Sequence, residues 1–427
     1  MNSTSHSDSE TADYLDALQK LLALEFFGMK LGLANMHALL DHLGHPEAKF
    51  ATIHVAGTNG KGSVSATLAA IFQSSGKKTG LYTSPHLVDY RERIRINGVM
   101  IPESFVEYFV RANWNIITEL KATFFEVTTA LAFEYFASER VDIAIIETGL
   151  GGRLDATNVL THPLATVVTS IGWDHMTQLG NTLEAIAFEK AGIFKSNVPA
   201  IVWEENSLKS IFEEQAKKVG AQLFFVPPER MDSLRDLEPS LIGAHQSQNL
   251  GTVLEVLNHL PDRPSDAAIR NGITNVRELT GLRSRLEQYS HPFLTDRGLQ
   301  LFLDVGHNLD AFVAVREYFL AAGVRPIVVA GFMRDKDVMS VLNEIKKFAD
   351  EFIAVEAPTS RALPSGELAT LGTEAGLATQ DGGEVMNGLR RAIASAKPKT
   401  TILLTGSHYV VGEFLANESG IGTVIPN

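Results

Sequence analysis

Short continuous apolar runs alternate along the chain with longer stretches in which apolar residues have helical spacing. The first such stretch contains Tyr14, Leu15, Leu18, Leu21, Leu22 and Leu24, and it predicts an amphipathic helix where the ordered chain begins. Apolar runs predict strands at 52–55, 141–146 and 166–169, and helical spacing predicts helices at 63–73, 104–120 and 128–136. Strands that alternate with helices are typical of a mostly parallel sheet covered by helices on both faces.

The same alternation starts again nearer the C-terminus. Its predicted strands are 300–304, 327–330, 352–355 and 401–404. The segment Ser290–Gly298 is rich in turn formers and predicts a domain boundary. We therefore expect an α/β protein with a disordered Ser/Asp/His-rich tail at 1–10, a large domain with a mostly parallel sheet at 11–292, and a smaller α/β domain at 293–427.

Composition narrows the classes of function. The 427 residues include 37 Lys and Arg against 50 Asp and Glu, a net charge of −13, which disfavours nucleic acid and anionic membranes as partners. The chain has no cysteine, so thiolate catalysis, disulfides and zinc–thiolate sites are excluded. No apolar stretch approaches the 18 residues of a membrane span, and we expect a cytoplasmic protein that binds small molecules.

A glycine-rich segment between a predicted strand and a predicted helix carries the clearest chemistry. It consists of Gly57, Thr58, Asn59, Gly60, Lys61, Gly62 and Ser63. Glycines let the backbone turn its N–H groups towards phosphate oxygens, and the positive helix N-terminus favours an anion. The segment is shorter than the common G-x-x-x-x-G-K-[ST] loop, and Gly62 separates its lysine from its serine. It predicts a phosphate site, whereas the alternative is a plain strand–helix turn.

Polar residues also follow the neighbouring predicted strands. Ser84, Glu147 and His175 each come after an apolar run, where the carboxyl ends of parallel strands form the ligand-binding edge. Hydroxyl and carboxylate oxygens suit magnesium, although a turn serine, a solvated glutamate and a structural histidine remain alternatives. Lys190 precedes an apolar, glycine-containing stretch, and burial there would favour its neutral amine, although most lysines in such a setting lie on the surface.

Taken in order, these motifs resemble the dihydrofolate synthase/folylpolyglutamate synthase family, within the superfamily of ATP-dependent muramyl peptide ligases. The resemblance runs through most of the chain. Its motifs are 27–33, 57–63, 83–87, 91–95, 125–126, 147–158, 174–175, 189–194, 245–249, 285–287, 304–308, 331–337 and 406–407. The short phosphate loop and the Thr83–Leu87 element point to the folate branch more than to the cell-wall ligases.

The resemblance implies that 11–292 form a P-loop-type ATPase domain and that 293–427 form a smaller Rossmann-like domain. It also implies an active site between the two domains. It implies that ATP contacts Gly57, Thr58, Asn59, Gly60, Lys61, Gly62, Ser63, Asn249, Arg285 and Asp304. It implies Mg²⁺, with two ions expected, at Ser84, Glu147 and His175, a carbamylated Lys190, and a monovalent cation as a further expectation. The substrate residues that it implies are Met29, Lys30, Leu31, Thr123, Phe124, Phe125, Glu126, Leu154, Asp155 and Ala156.

The matching reaction is ATP-driven amide bond formation between L-glutamate and dihydropteroate or a folate. A carboxylate is phosphorylated to an acyl phosphate, which the glutamate amine then attacks. Lys61, Lys190 and His307 are the predicted catalytic residues, with His307 as a candidate base or an ordinary contact. The sequence departs from the family at 282–287, where either Arg283 or Arg285 fits the nucleotide arginine, and at Gly306, Leu309 and 34–36.

Two other readings stay open. A cell-wall amino-acid ligase of the same superfamily usually carries a further N-terminal domain, for which a phosphate loop starting at Gly57 leaves no room. A nucleotide-dependent switch protein would need the phosphate loop but not Ser84, His175 and Lys190 together with a second domain. We expect a monomer.

Overall fold

The computed structural model describes residues 4–24, 32–203, 206–227 and 238–418. The chain divides into two compact units. The first comprises 1–85, 91–240 and 249–281, and the second comprises 86–90, 241–248 and 282–427. No helix in the described ranges is long and apolar enough to cross a membrane.

An eight-stranded sheet forms the centre of the first unit. Its strands are β1 (Ala51–Ala56), β2 (Thr79–Tyr82), β3 (Ile94–Ile96), β4 (Val99–Met100), β5 (Ile143–Glu147), β6 (Ala165–Val168), β7 (Pro199–Val202) and β8 (Gln222–Phe225). The order across the sheet is β4-β3-β2-β5-β1-β6-β7-β8. All pairs are parallel except β2 with β3 and β3 with β4. The predicted parallel sheet is confirmed, with an antiparallel extension at one edge.

The described helices of this part of the chain include the opening helix and the helices that were predicted at 63–73, 104–120 and 128–136. They are α1 (Thr4–Ala23), α2 (Ala34–Leu43), α3 (Lys61–Ser74), α4 (Glu103–Leu120), α5 (Phe124–Ser138), α6 (Met176–Leu179), α7 (Leu183–Ala191), α8 (Lys209–Val219), α9 (Ala244–Asn258), α10 (Asp266–Thr274) and α11 (Val276–Thr280). Residues 63–72 of α3 are all buried, so this helix is enclosed on every side. Its rigid setting fixes the loop that joins it to β1.

A second sheet of six strands forms the centre of the second unit. Its strands are β9 (Glu287–Tyr289), β10 (Gln300–Leu303), β11 (Ile327–Ala330), β12 (Glu351–Glu356), β13 (Thr379–Glu384) and β14 (Thr401–Thr405), in the order β13-β12-β11-β14-β10-β9. Only β9 is antiparallel to its neighbour. The helices are α12 (Pro292–Thr295), α13 (Leu309–Ala321), α14 (Val338–Phe348), α15 (Ser365–Glu374), α16 (Val385–Ser395) and α17 (His408–Ala416).

Side chains alternate between two cores along these strands. Leu301 and Leu303 of β10 join one buried cluster, whereas Phe302 between them joins another. A sheet buried on both faces requires continuous apolar strands, which explains why β10, β11, β12 and β14 are recognisable in the sequence.

The limits of the units differ from those expected from the sequence. Helix α1 begins at Thr4, inside the segment 1–10 that was expected to be a disordered tail. The second unit begins at Leu282 rather than 293, because β9 pairs with β10 and draws the chain before Ser290 into the second sheet. The turn formers at Ser290–Gly298 connect these two strands and include α12.

Candidate active site

The glycine-rich loop joins β1 to α3 in a conformation that only glycine accommodates. Gly57 has φ 150° and Gly60 has φ 90°. A Cβ on Gly57 would lie 1.7 Å from Thr169 Oγ1, and one on Gly60 would lie 2.2 Å from Asn249 Oδ1. The predicted nucleotide residue Asn249 therefore lies against the predicted phosphate loop.

Hydrogen bonds join this loop to the segment after β6. Thr58 N donates to Ser170 O at 2.7 Å, and Thr169 Oγ1 donates to Asn59 O at 2.7 Å. Gly172 N in turn donates to Thr58 Oγ1 at 3.0 Å. The loop's shape is thus fixed by its neighbours and not by glycine alone.

The loop leaves the start of α3 open to an anion. Gly60 is the N-cap and provides no side-chain cap, so the first amides of the helix have no such partner. Lys61 Nζ donates to Gly57 O at 3.1 Å and to Thr58 O at 3.2 Å, which places its charge over the loop. Ser63 is buried at 2% exposure in the first turn. A positive helix end, a lysine and closely turned backbone are suited to phosphate.

Lys190 approaches the same loop from α7. Its side chain is 4% exposed, and Nζ donates to Gly57 O at 2.7 Å. Burial, with a smaller contribution from the nearby Lys61 charge, lowers the pKa of Lys190 to about 7, although the Asp174 and Asp155 charges act in the opposite direction. A substantial fraction of this amine is therefore neutral near pH 7.

Of the predicted metal ligands, Ser84 and Glu147 lie together. Ser84 N donates to Glu147 Oε2 at 3.3 Å, and the Glu147 side chain is 3% exposed at the end of β5. His175 has φ 51° and lies beside Asp174, with Nε2 3.7 Å from Asp174 Oδ2. In the described ranges no three His, Asp or Glu side chains form a metal cluster, and the predicted ligand set contains only two such residues.

The predicted substrate residues on α5 have different structural roles. Thr123 and Glu126 form the capping box that starts α5, and Asn35 Nδ2 donates to Glu126 Oε2 at 3.2 Å. Phe124 is buried, with the Arg93 guanidinium 5.2 Å from its ring centre. These contacts account for three of the four residues as parts of the fold.

Phe125 is the member of this group that remains half-buried. Its ring occupies the space beside Gly149, where a Cβ would lie 2.4 Å from Phe125 Cζ, and its centre is 6.0 Å from the ring of Tyr82. An aromatic ring next to the loop that follows Glu147 is suited to contact a planar aromatic ligand.

The carboxylate of Asp155 accepts hydrogen bonds from backbone amides of its own loop. Oδ2 accepts from Gly149 N at 3.0 Å and Leu150 N at 2.8 Å, and Oδ1 accepts from Thr157 N at 3.0 Å. Burial raises the pKa of Asp155, and these hydrogen bonds act against that rise. Ala156 is buried and Leu154 is half-buried. Met29, Lys30 and Leu31 lie outside the described residues.

The second unit holds the remaining predicted residues at the ends of β9 and β10. Asp304 Oδ2 accepts from Leu286 N at 2.9 Å, and Oδ1 accepts from Gly306 N at 2.7 Å. Arg283 Nε forms an ion pair with Glu287 Oε1 at 2.6 Å. Burial lowers the pKa of His245, the nearby Asp304 charge raises it, and the nearby Arg285 charge lowers it.

His307, the candidate base, lies in the loop after β10. Its Nδ1 donates to Val305 O at 3.0 Å, and its ring centre is 5.9 Å from that of His408. A ring whose Nδ1 donates to a carbonyl presents Nε2 as its acceptor when neutral.

Sequence reasoning missed several buried polar residues near the loop. His54 on β1 is fully buried, and Asn158 accepts from Lys195 Nζ through Oδ1 at 2.8 Å. Burial lowers the pKa of Lys195 to about 8. A histidine inside the apolar run 52–55 was the available signal for His54. Nothing local marked its partner, which lies 103 residues away.

Comparisons with known proteins show which families this chain resembles. Residues 55–253 match the family described as Mur ligase middle domain, and residues 284–408 match Mur ligase, glutamate ligase domain. A dihydrofolate synthase/folylpolyglutamate synthase from Bacillus subtilis is 36% identical over 375 residues, covering 79% of this chain and 83% of its own. The protein of that name from Escherichia coli is 32% identical, with 96% of each chain covered.

Solved structures give the same result. The Escherichia coli FolC complex with DHPP and ADP has a TM-score of 0.83 at 30% identity, with 95% of this chain and 98% of that chain covered. The Yersinia pestis bifunctional folylpolyglutamate synthase/dihydrofolate synthase, complexed with AMPPNP and Mn ion, has a TM-score of 0.84 at 28% identity, with 95% and 98% covered. The predicted resemblance is confirmed, and the chain belongs to the dihydrofolate synthase/folylpolyglutamate synthase family.

Proposed function

We propose that this protein is an ATP-dependent ligase that joins L-glutamate to dihydropteroate, or to the glutamyl tail of a folate, and releases ADP and phosphate. The observation that carries the proposal is the glycine-rich loop with Lys61 and Lys190 on the Gly57 carbonyl, beside Ser84 and Glu147 at the ends of neighbouring strands. Family membership supplies the substrates, because relatives that match most of the chain bear these activities in their names.

The chemistry requires an activated carboxylate. A carboxylate at neutral pH is a poor electrophile, so its oxygen attacks the γ-phosphorus of ATP, and the resulting acyl phosphate accepts the glutamate amine with loss of phosphate. The amides at the start of α3 and the Lys61 side chain would bind the phosphates and offset charge that develops during phosphoryl transfer. Donation from Nδ1 to Val305 O leaves Nε2 as the acceptor of a neutral ring, which supports His307 as the candidate base.

The donor set fits a magnesium ion. The buried carboxylate of Glu147 and the hydroxyl of Ser84 are hard oxygen ligands, and His175 is the proposed third. When bound, the ion would neutralise phosphate charge. A relative's structure contains Mn with AMPPNP, which supports a divalent ion here. A second magnesium ion and a monovalent cation remain part of the proposal.

Carbamylation of Lys190 is also proposed, and its buried setting supports it. The neutral amine attacks carbon dioxide, forms an N–C bond and loses a proton to give a carbamate. A pKa of about 7 supplies neutral amine at physiological pH, which an ordinary lysine does not. The resulting anion would also replace repulsion from Lys61 by attraction.

We assign the nucleotide contacts to Asn249, Arg285 and Asp304. Asn249 lies against Gly60 of the loop. We keep Arg285 as the nucleotide arginine on the family resemblance, with Arg283, which pairs with Glu287, as the alternative. Phe125 is the proposed aromatic contact for the pteroate group, and Asp155 supports the loop beside it. A cytoplasmic monomer remains our expectation.

The decisive experiment measures ADP release by the full chain with ATP and Mg²⁺. We expect release that requires both dihydropteroate or a folate and L-glutamate. Release only with a nucleotide-linked muramyl substrate would assign the protein to the cell-wall branch. Nucleotide binding without turnover on any of these substrates would favour a switch protein and overturn the proposal.

A further inference from the structure

A buried histidine lies in the strand that leads to the phosphate loop. His54 is on the central strand β1 and has no exposed surface. Its Nε2 is 2.8 Å from Thr157 Oγ1, in the 3₁₀ turn Ala156–Val159. Burial, with a smaller contribution from the Lys195 charge, lowers the pKa of His54 to about 3, so the ring is neutral at pH 7.

The direction of the hydrogen bonds follows from counting protons. Thr157 Oγ1 also bonds Asp155 Oδ1. An ionised carboxylate only accepts, so the single hydroxyl proton of Thr157 is given to Asp155. The hydroxyl oxygen must then accept from His54, which fixes the proton of the neutral ring on Nε2. The result is one directed chain from His54 through Thr157 to Asp155.

The far end of this chain holds a turn that contacts two parts of the candidate site. Asp155 Oδ2 accepts from the amides of Gly149 and Leu150. The Phe125 ring lies directly against Gly149. At the other end of the turn, a Cβ on Gly152 would lie 2.9 Å from the carbonyl oxygen of Lys190, so this backbone packs closely on α7.

We propose that His54 and Thr157 are positioning residues of the ligase, which set the Gly149–Gly152 turn through Asp155 and thereby align Phe125 with the loop that holds Lys61 and Lys190. This inference rests on the proposed function for its effect on turnover. Neither side chain is assigned to substrate contact. Their role is to hold Asp155 in the one orientation in which both of its oxygens reach backbone amides.

The kinetic test uses variants that keep or remove each hydrogen bond. Thr157→Val and His54→Leu remove a link, whereas Thr157→Ser and His54→Gln keep a hydroxyl and an amide donor at the same reach. Thr166→Val is the matched control, because Thr166 is fully buried, pairs with His54 across the sheet, and donates from its hydroxyl to Pro199 O at 3.4 Å. Each variant is assayed for kcat, for KM of the pteroate substrate and ATP, and for thermal midpoint.

We expect Thr157→Val and His54→Leu to lower kcat/KM for the pteroate substrate by about tenfold or more, since small displacements in a site are costly. His54→Gln and Thr157→Ser should recover most of the loss, and Thr166→Val should stay near wild type. If His54→Leu does not fold, the comparison of Thr157→Val with Thr157→Ser still tests the proposal. A loss in Thr166→Val equal to that in Thr157→Val, or no recovery by the conservative variants, would overturn the positioning role.

A spectroscopic test separates this inference from the proposed function. In ¹⁵N spectra of the histidine-labelled full chain, the resonances absent from His54→Gln belong to His54. They should show a protonated Nε2 and a bare Nδ1 at pH 7. A proton on Nδ1, or an imidazolium, would refute the chain whatever the activity. If the tautomer is as expected and wild type ligates none of the substrates, the proposed function fails and takes the positioning role with it.

Discussion

Two amines share one acceptor at the phosphate loop. Lys61 Nζ and Lys190 Nζ lie 3.1 Å and 2.7 Å from the carbonyl oxygen of Gly57. Burial, with a smaller contribution from the nearby Lys61 charge, lowers the pKa of Lys190 to about 7. The two lysines are therefore chemically different at neutral pH, with Lys61 suited to charge neutralisation and Lys190 suited to nucleophilic addition.

Lys61→Ala should abolish most ligation while the fold persists, because the lost cation faces developing phosphate charge. We expect kcat to fall by about 10² or more, as for comparable charge-stabilising groups. ADP release and the thermal midpoint are the measurements. Lys77→Ala is the control, since Lys77 follows the other end of α3 and pairs with Asp262 at 2.6 Å. Turnover of Lys61→Ala near that of the control would remove Lys61 from catalysis.

Lys190 should make stability depend on pH in a specific window. Its folded pKa, about 7, lies below the ordinary lysine value of 10.5, so between these values the unfolded chain binds more protons and stability rises with pH. The slope is at most about 1.4 kcal/mol per pH unit. We expect the Lys190→Met variant to lack this rise of stability with pH. The measurement is the free energy of unfolding in urea from pH 7 to 9, in buffer free of carbon dioxide. Parallel stability profiles for the two proteins would contradict the lowered pKa.

At the level of elements, apolar strands were predictable and polar ones were not. Both faces of β10 and β11 are buried, so their continuous apolar runs were visible in the sequence. Edge strand β13 reads Thr-Gln-Asp-Gly-Gly-Glu and is largely exposed, so it carries no apolar signal. Strand β9 has three residues and is defined only by its pairing with β10, which no local pattern encodes.

The β1–α3 connection gives a prediction at this scale. Gly60→Ala and Gly76→Ala both place a side chain at positive φ, 90° and 86°, so both should lose about 1 kcal/mol of stability. Only at Gly60 would the new Cβ meet Asn249 Oδ1, at 2.2 Å, whereas nothing lies within 4 Å at Gly76. We therefore expect only Gly60→Ala to weaken ADP binding, measured by calorimetry. Equal ADP affinity in the two variants would show that this contact does not shape the nucleotide site.

Across the whole molecule, local sequence marks some candidate site residues but not their partners. The glycine loop and Glu147 have local signatures, because glycine turns and strand ends can be recognised in the sequence, whereas Lys190 was a candidate only through the family resemblance. The bond from Lys190 to Gly57 spans 133 residues and the one from His54 to Thr157 spans 103. Such contacts depend on strand order, and β1 lies between β5 and β6 only in the folded sheet.

The proposed nucleotide residues are divided between the two units, with Asn249 in the first and Arg285 and Asp304 in the second. The whole chain carries a net charge of −13, so an anionic nucleotide depends on local cations for its binding. If the second unit supplies one of them, the functional enzyme requires both units. Substitution of Arg285 alone then tests whether the second unit contributes to nucleotide binding.

Arg285→Ala should raise the dissociation constant of ADP by about tenfold or more, the loss of a charge-assisted hydrogen bond. Arg283→Ala is the matched control, two residues away, and it removes an ion pair with Glu287 whose arginine side chain is 38% exposed. We expect that control to shift the thermal midpoint slightly and to leave ADP affinity unchanged. Calorimetric titration of the two full-length variants makes the comparison. If Arg283→Ala loses affinity and Arg285→Ala does not, the assignment passes to Arg283. If neither loses affinity, this segment of the second unit makes no energetically important contact with the nucleotide.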